Sequence, residues 1–160
     1  MLLLAKKNWD LFYKRNLNKF FRDRHWTTRE FGELAQFDAN ELINANDEMT
    51  DSQKQPTQFN LLEAGCGVGN FVWPLLKAGA RFNYYACDFS PVALDIFKQN
   101  PLYDDQRCRV FQADLTEPCA LRSKLNEDIH FHVISLIFVL SAIHPDKMSI
   151  ALKNIAQVSF

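Results

Sequence analysis

Three glycines stand on alternate positions in the stretch LLEAGCGVGN, residues 61–70. They are Gly65, Gly67 and Gly69, out of only 5 glycines in 160 residues. Glycine costs stability inside a strand or helix, so this cluster indicates a sharp turn or close approach of a ligand to the backbone. Counting Glu63, the spacing is E-x-G-x-G-x-G. Asn70 stands where the dinucleotide fingerprint G-x-G-x-x-G requires its last glycine.

Two aspartates follow the glycines at the ends of predicted strands. Asp88 closes the run NYYACD, where a carboxylate can accept hydrogen bonds from both hydroxyls of a ribose. Asp114 closes VFQAD, where it can meet the edge of an adenine. Either acid alone is equally well explained as a strand-end or capping residue. Together with the glycine turn they predict a ligand that contains adenosine. No residue is singled out as catalytic.

Alternating strands and helices must position these residues. Four apolar runs predict buried strands: FNLLEAG, RFNYYACDFS, CRVFQAD and IHFHVISLIFVL. Between them, Ser90 and Pro91 have the types expected at the start of a helix, and Pro145 opens a last helix in the same way. This order predicts parallel strands with right-handed crossovers. The predicted fold is α/β with a Rossmann-like sheet.

The chain divides into three predicted segments: an N-terminal arm over 1–43, a polar linker over 44–58 and a sheet domain over 59–160. The formal net charge of -1 hides an uneven distribution. From Lys6 to Glu30, eight basic residues stand against three acidic ones. The first part of the chain is therefore a basic, aromatic arm.

Part of this arm combines cations with aromatic surface, as binding of a single-stranded RNA loop requires. The candidate RNA-binding residues are Arg22, Arg24, His25, Trp26 and Arg29. A solvated basic face is the alternative interpretation. Trp9 and Tyr13 are four residues apart, so they share one face if the arm is helical. Spacing alone favours their packing on the core over a part in ligand binding.

Several classes of site and location are not expected. The cysteines form no C-x-x-C pair, and nothing completes a metal site around His130 and His132, so no metal is predicted. The opening MLLLAKK is too short an apolar run for a signal peptide or a membrane span. We expect reduced thiols and a cytoplasmic location, with the nucleus as the alternative.

A set of motifs distributed over most of the chain identifies a family. The motifs are KNWDLFYKRN, FFRDRHWTTREF, LLEAGCGVGN, ACDFSP, QNPLYD and LIFVLSAIHPDKM. They closely resemble the methyltransferase-like enzymes that form 3-methylcytidine in tRNA, in particular the member that acts on serine tRNAs. The resemblance implies a class I S-adenosylmethionine-dependent methyltransferase fold, S-adenosylmethionine as cofactor and tRNA as substrate. It also suggests seryl-tRNA synthetase as a partner.

Site residues follow from the resemblance by position. The family's cofactor contacts fall on Trp9, Tyr13, Gly65, Asp88, Asp114 and Ile137. The family match favours Trp9 and Tyr13 as an aromatic lid over the cofactor. The resemblance implies that the target is the cytidine that begins the anticodon loop. Two alternatives stay open, a non-catalytic tRNA- or partner-binding module and an NAD-dependent oxidoreductase, although Asn70 counts against the latter.

The resemblance also predicts an incomplete fold. Class I methyltransferases have seven strands, whereas this chain accounts for about four parallel strands and an N-terminal helical arm. The fourth strand would then have an unpaired edge, which favours aggregation. We expect the isolated 160-residue chain to be poorly soluble or oligomeric and to transfer no methyl groups.

Overall fold

The computed structural model describes residues 2–31, 34, 59–80 and 82–160. The predicted linker and the end of the arm, residues 35–58, lie outside the described residues. The described part forms a parallel sheet with helices on both faces. None of its helices is both long and apolar enough to cross a membrane.

Four parallel strands make up the sheet, in the order β3-β2-β1-β4. They are β1 Asn60–Ala64, β2 Asn83–Asp88, β3 Cys108–Gln112 and β4 Val133–Ser135. The strand order reverses between β1 and β4, which lie side by side although they are far apart in sequence. In open α/β sheets ligands bind outside the carboxyl ends of the strands at such a reversal. The predicted Rossmann-like fold is confirmed.

In the part of the chain that the structure describes, five helices with given bounds accompany the strands. They are α1 Leu2–Asn16, α2 Trp26–Glu30, α3 Val72–Lys77, α4 Pro91–Phe97 and α5 Pro145–Ala156. As predicted, Ser90 caps α4, because its side chain accepts a 3.2 Å hydrogen bond from the backbone N–H of Ala93. Short 3₁₀ turns follow at Arg122–Lys124 and Leu140–Ala142.

Alternating side chains of the strands build a core on each face of the sheet. Leu61 and Tyr84 point to the face covered by α3 and α4, where they pack with Trp73 and Phe97. Side chains of the opposite parity, such as Leu62, pack against α5. The two central strands, β1 and β2, are buried on both faces, as the interior of a parallel sheet requires.

Two predicted strand ends are wrong. The fourth strand was expected over residues 129–140, but only Val133–Ser135 pairs with β1. Of the apolar residues that follow, Leu136, Val139 and Leu140 leave the sheet and pack against the core around Leu62. An apolar run in a sequence indicates a segment that packs against the core, but it does not show that the segment is a strand. Here part of the run packs in an irregular segment. Likewise β3 ends at Gln112, so Asp114 lies two residues beyond it.

Candidate active site

A cavity of about 680 Å³ opens at the carboxyl ends of the strands. Its walls come from α1, from the turn after β1, from the ends of β2 and β3, and from the segment after β4. All six residues predicted to contact the cofactor line it: Trp9, Tyr13, Gly65, Asp88, Asp114 and Ile137. The structure therefore brings together positions that are up to 128 residues apart in sequence. Their contact with a ligand stays a prediction.

The glycine turn is held against β2 and is closely packed. The N–H groups of Gly65 and Cys66 donate to the Cys87 carbonyl at 2.8 and 2.9 Å. Gly65 has φ +75° and Gly67 has φ +54°, conformations that side chains disfavour. A Cβ at Gly67 would lie 2.8 Å from the Tyr13 hydroxyl, and one at Gly65 would overlap Val139. Because Gly65 and Gly67 lack a Cβ, the side chains of Val139 and Tyr13 can pack directly against the turn, and both line the same cavity.

Asp88 lies at the centre of the site and is almost fully buried. Its two carboxylate oxygens accept hydrogen bonds from the N–H groups of Gly67 and Ser90, both at 2.9 Å. Burial raises the pKa of Asp88 to about 6, although these backbone donors act in the opposite direction. Each oxygen has further lone pairs, so an ionised Asp88 can still accept from two hydroxyl groups.

Asp114 is fixed by its own loop. Its Oδ1 accepts hydrogen bonds from the backbone N–H of Thr116 at 2.9 Å and from the Thr116 hydroxyl at 2.7 Å. The buried amide of Asn154 on α5 donates to the carbonyls of Leu115 and Glu117, both at 2.8 Å. Asn154 therefore holds this wall of the cavity, a function that no sequence pattern indicated.

Helix α1 covers the site. Tyr13 is buried against Val68 of the glycine turn, and Trp9 stacks on the Tyr13 ring with 5.8 Å between ring centroids. The Ser90 hydroxyl donates to Asp10 on the same helix at 2.5 Å. The arm is thus helical around Trp9 and Tyr13, as the sequence predicted, and the two rings lie on the cavity.

Asn70 attaches the remainder of the arm to the glycine turn. Its carbonyl accepts from the backbone N–H of Arg24 at 2.7 Å, and its side-chain amide donates to the Phe21 carbonyl at 3.1 Å. A glycine here would lack the side-chain contact. The departure from the dinucleotide fingerprint therefore has a structural reason, which sequence reasoning did not find.

The candidate RNA-binding residues differ in their exposure. Arg22 and His25 are exposed, Trp26 is 40% exposed, and Arg29 pairs with Glu30 at 2.8 Å. Arg24 instead lines the cavity, where its guanidinium lies 4.9 Å from the ring centroid of Phe138. Burial lowers the pKa of Arg24.

Glu63 is a buried carboxyl group in the wall of the cavity. It accepts a short hydrogen bond from the Tyr84 hydroxyl. Burial raises the pKa of Glu63 to about 8, although Tyr84 and Arg24 favour the charged form. Glu63 therefore carries its proton at neutral pH.

We expect Glu63→Gln to make the protein more stable than wild type at alkaline pH. The unfolded chain releases this proton near pH 4.5 and the folded chain near pH 8. Wild-type stability therefore falls across that window, by on the order of 1 kcal/mol per pH unit, whereas glutamine still accepts from Tyr84 and does not titrate. Urea unfolding at several pH values measures the difference. Exposed Glu117→Gln is the control, and equal pH profiles for wild type and Glu63→Gln would contradict the assignment.

His132 has a structural function. Nδ1 of His132 accepts a 3.2 Å hydrogen bond from the backbone N–H of Asn60, and its ring stacks on Phe59 with 4.2 Å between centroids. Among the residues that the structure describes, no cluster of three potential metal ligands occurs.

The fold and the cavity agree with known protein families. The Methyltransferase domain family matches residues 62–158, from β1 to the residues just after α5. The chain belongs to this family of enzymes. A solved S-adenosylmethionine-dependent methyltransferase from Anabaena variabilis superposes with a TM-score of 0.63 at 14% identity, covering 97% of this chain and 57% of that one. This similarity independently supports the fold.

More specific relatives share the arm as well. The human tRNA N(3)-cytidine methyltransferase METTL6 is 52% identical over 154 residues, which cover 96% of this chain and 49% of that protein. The Schizosaccharomyces pombe tRNA N(3)-methylcytidine methyltransferase trm141 is 40% identical, covering 96% of this chain and 55% of that protein. The resemblance drawn from the sequence motifs is confirmed. The chain spans about half the length of these curated relatives.

Proposed function

We propose that this protein is an S-adenosylmethionine-dependent tRNA methyltransferase that forms 3-methylcytidine in the anticodon loop. One observation carries the proposal: the arm, the glycine turn, Asp88 and Asp114 meet in one cavity. The chain also resembles tRNA cytidine methyltransferases over 96% of its length.

The residues of the cavity fit the proposed cofactor. Asp88 is placed to accept from ribose hydroxyls, because its backbone partners occupy only part of its acceptor capacity. Among the described residues, the hydrogen bonds of Asp114 use Oδ1, which leaves Oδ2 for an adenine amino group. Trp9 and Tyr13 supply an apolar cover that excludes water.

The chemistry requires positioning more than proton transfer. S-Adenosylmethionine supplies a methyl group on a sulfonium, whose carbon–sulfur bond breaks as N3 of cytidine bonds to the methyl carbon. The electron pair of the broken bond goes to sulfur, and the cytosine ring takes the positive charge. N3 carries no proton in neutral cytidine, so no general base is needed. Orientation by the protein can supply about 7–11 kcal/mol of rate enhancement at best.

Binding and product analysis test the proposal. Calorimetry should show binding of S-adenosylhomocysteine and none of NAD. Mass spectrometry of tRNA nucleosides should show 3-methylcytidine after incubation with S-adenosylmethionine and this chain extended to the length of its curated relatives, and none with the 160-residue chain alone. Binding without methylation would favour a non-catalytic tRNA-binding module, and binding of NAD alone would favour an oxidoreductase.

The exposed part of the arm should contribute phosphate contacts. We expect Arg22→Ala to weaken tRNA binding and to lower the slope of log affinity against log salt by about 1, since one phosphate contact is lost. Arg22 is exposed, whereas Arg24 lines the cavity. Lys98→Ala, which removes an exposed cation outside the arm, is the control. An unchanged salt slope for Arg22→Ala would show that Arg22 only faces solvent.

Serine tRNA and seryl-tRNA synthetase complete the proposal. Both follow from the motif resemblance. Methylation of serine tRNA should exceed that of other tRNAs, and adding seryl-tRNA synthetase should increase the rate. Equal rates on all tRNAs would contradict the proposed substrate, and an unchanged rate with the synthetase would contradict the proposed partner.

A further inference from the structure

Phe138 has an unusual combination of conformation and exposure. It follows β4, and the residue is 70% exposed although it lines the cavity. Its backbone has φ 60°, in the left-handed region that L residues seldom adopt. Two features of Phe138 cost free energy: its apolar ring is exposed to water, and its backbone is strained. Such outliers concentrate at functional sites.

The other left-handed residues have no such setting. Among the described residues, only Leu17 and Cys119 are further non-glycine residues with positive φ, at 51° and 55°. Leu17 directly follows α1, and its N–H donates to the Tyr13 carbonyl at 2.8 Å, as is common where a helix terminates. Cys119 is exposed and does not line the cavity.

Arg24 holds one face of the Phe138 ring. Its guanidinium lies 4.9 Å from the ring centroid, within cation–π distance. The Arg24 backbone is itself bonded to Asn70 at the glycine turn. The ring is therefore tied to the arm and to the turn after β1.

The position of the ring separates two parts of the cavity. Asp88 and Glu63 are buried at the strand ends, whereas Phe138 is mostly exposed and so lies at the opening. Its neighbours Ile137 and Val139 also line the wall.

We propose that Phe138, backed by Arg24, is the platform on which the target cytosine stacks when it turns out of the RNA loop. The inference rests on the proposed function and names the subsite that receives the base. Stacking on an aromatic ring suits an unpaired loop base. The ring's π face also favours the positive charge that the methylated cytosine acquires.

A fluorescent base tests the platform separately from methylation. The probe is an anticodon stem-loop RNA with pyrrolocytidine at the target position, added to the full chain with S-adenosylhomocysteine. In wild type, stacking should quench the fluorescence. Phe138→Gly should weaken quench-detected binding by about 5- to 150-fold, the range for loss of one base–aromatic stack. Phe138→Tyr, which retains the ring, should stay within about 3-fold of wild type, the usual uncertainty of a single contact.

Folding is controlled by a matched variant. Glycine accommodates positive φ, so Phe138→Gly should not lower the unfolding temperature or change S-adenosylhomocysteine affinity. Cys119→Gly relieves the same kind of backbone conformation away from the cavity and should leave quenching unchanged. The platform would be overturned if wild type and Phe138→Gly quenched the fluorescence equally, or if neither of them quenched it. Quenching that requires the ring, in a protein that forms no 3-methylcytidine, would support the platform and overturn the proposed reaction.

Discussion

Gly65→Ala should lower the free energy of unfolding by about 2–5 kcal/mol. About 1–2 kcal/mol arises because a side chain is placed at φ +75°. The rest arises because the new Cβ would overlap Cγ2 of Val139, and overpacking costs about 1–3 kcal/mol. Chemical denaturation of the variant and wild type measures the loss.

Two further variants separate these causes. Gly79 has φ +93° with nothing within 4 Å of an added Cβ, so Gly79→Ala should show the backbone cost alone. In the double variant Gly65→Ala/Val139→Ala the overlap is absent, so the steric part of the lost free energy of unfolding should be recovered. The effect of Val139→Ala alone is measured and subtracted. Equal losses for Gly65→Ala and Gly79→Ala would show that Val139 moves aside at no cost.

Asp88→Ala should weaken S-adenosylhomocysteine binding by about 1–3 kcal/mol at neutral pH, through loss of the ribose acceptor. Wild-type affinity should be constant above pH 6 and fall as the pH falls below it, because the pKa of Asp88 is raised to about 6 and the ionised form binds. The fall should approach tenfold per pH unit, and Asp88→Ala should remove it. Calorimetry from pH 5 to pH 8 measures both effects.

Glu63 provides the control for this pH dependence. It lines the same cavity, but with a pKa of about 8 it keeps its proton throughout the acid range. Glu63→Gln should therefore leave the inflection near pH 6. An inflection that stays in Asp88→Ala, or unchanged affinity at neutral pH, would contradict the assignment of Asp88 to the ribose. Asp88→Ala also removes the hydrogen bonds to Gly67 and Ser90. Unfolding curves of the variant at each pH show whether the loss of these bonds lowers its stability.

Local sequence patterns determined the elements and the edge of the sheet that carries the site. Ser90 and Pro91 begin a helix because capping and a fixed φ act within one turn, and α4 starts there. Alternation of apolar runs predicted β1 and β2, since parallel strands are buried on both faces. Asp88 and the three glycines could be placed together because the carboxyl ends of parallel strands share one edge.

Only the tertiary structure decided which neighbours these residues have. Asn70 could be recognised as an exception to a glycine motif, but its bonds to the arm join residues 49 positions apart. Arg24 was placed among the candidate RNA-binding residues, and only the structure shows that it lines the cavity with its guanidinium over the Phe138 ring. The short β4 likewise depends on pairing with β1. Sequence patterns report the preferences of a segment, whereas these features depend on contacts that form only when distant segments pack together.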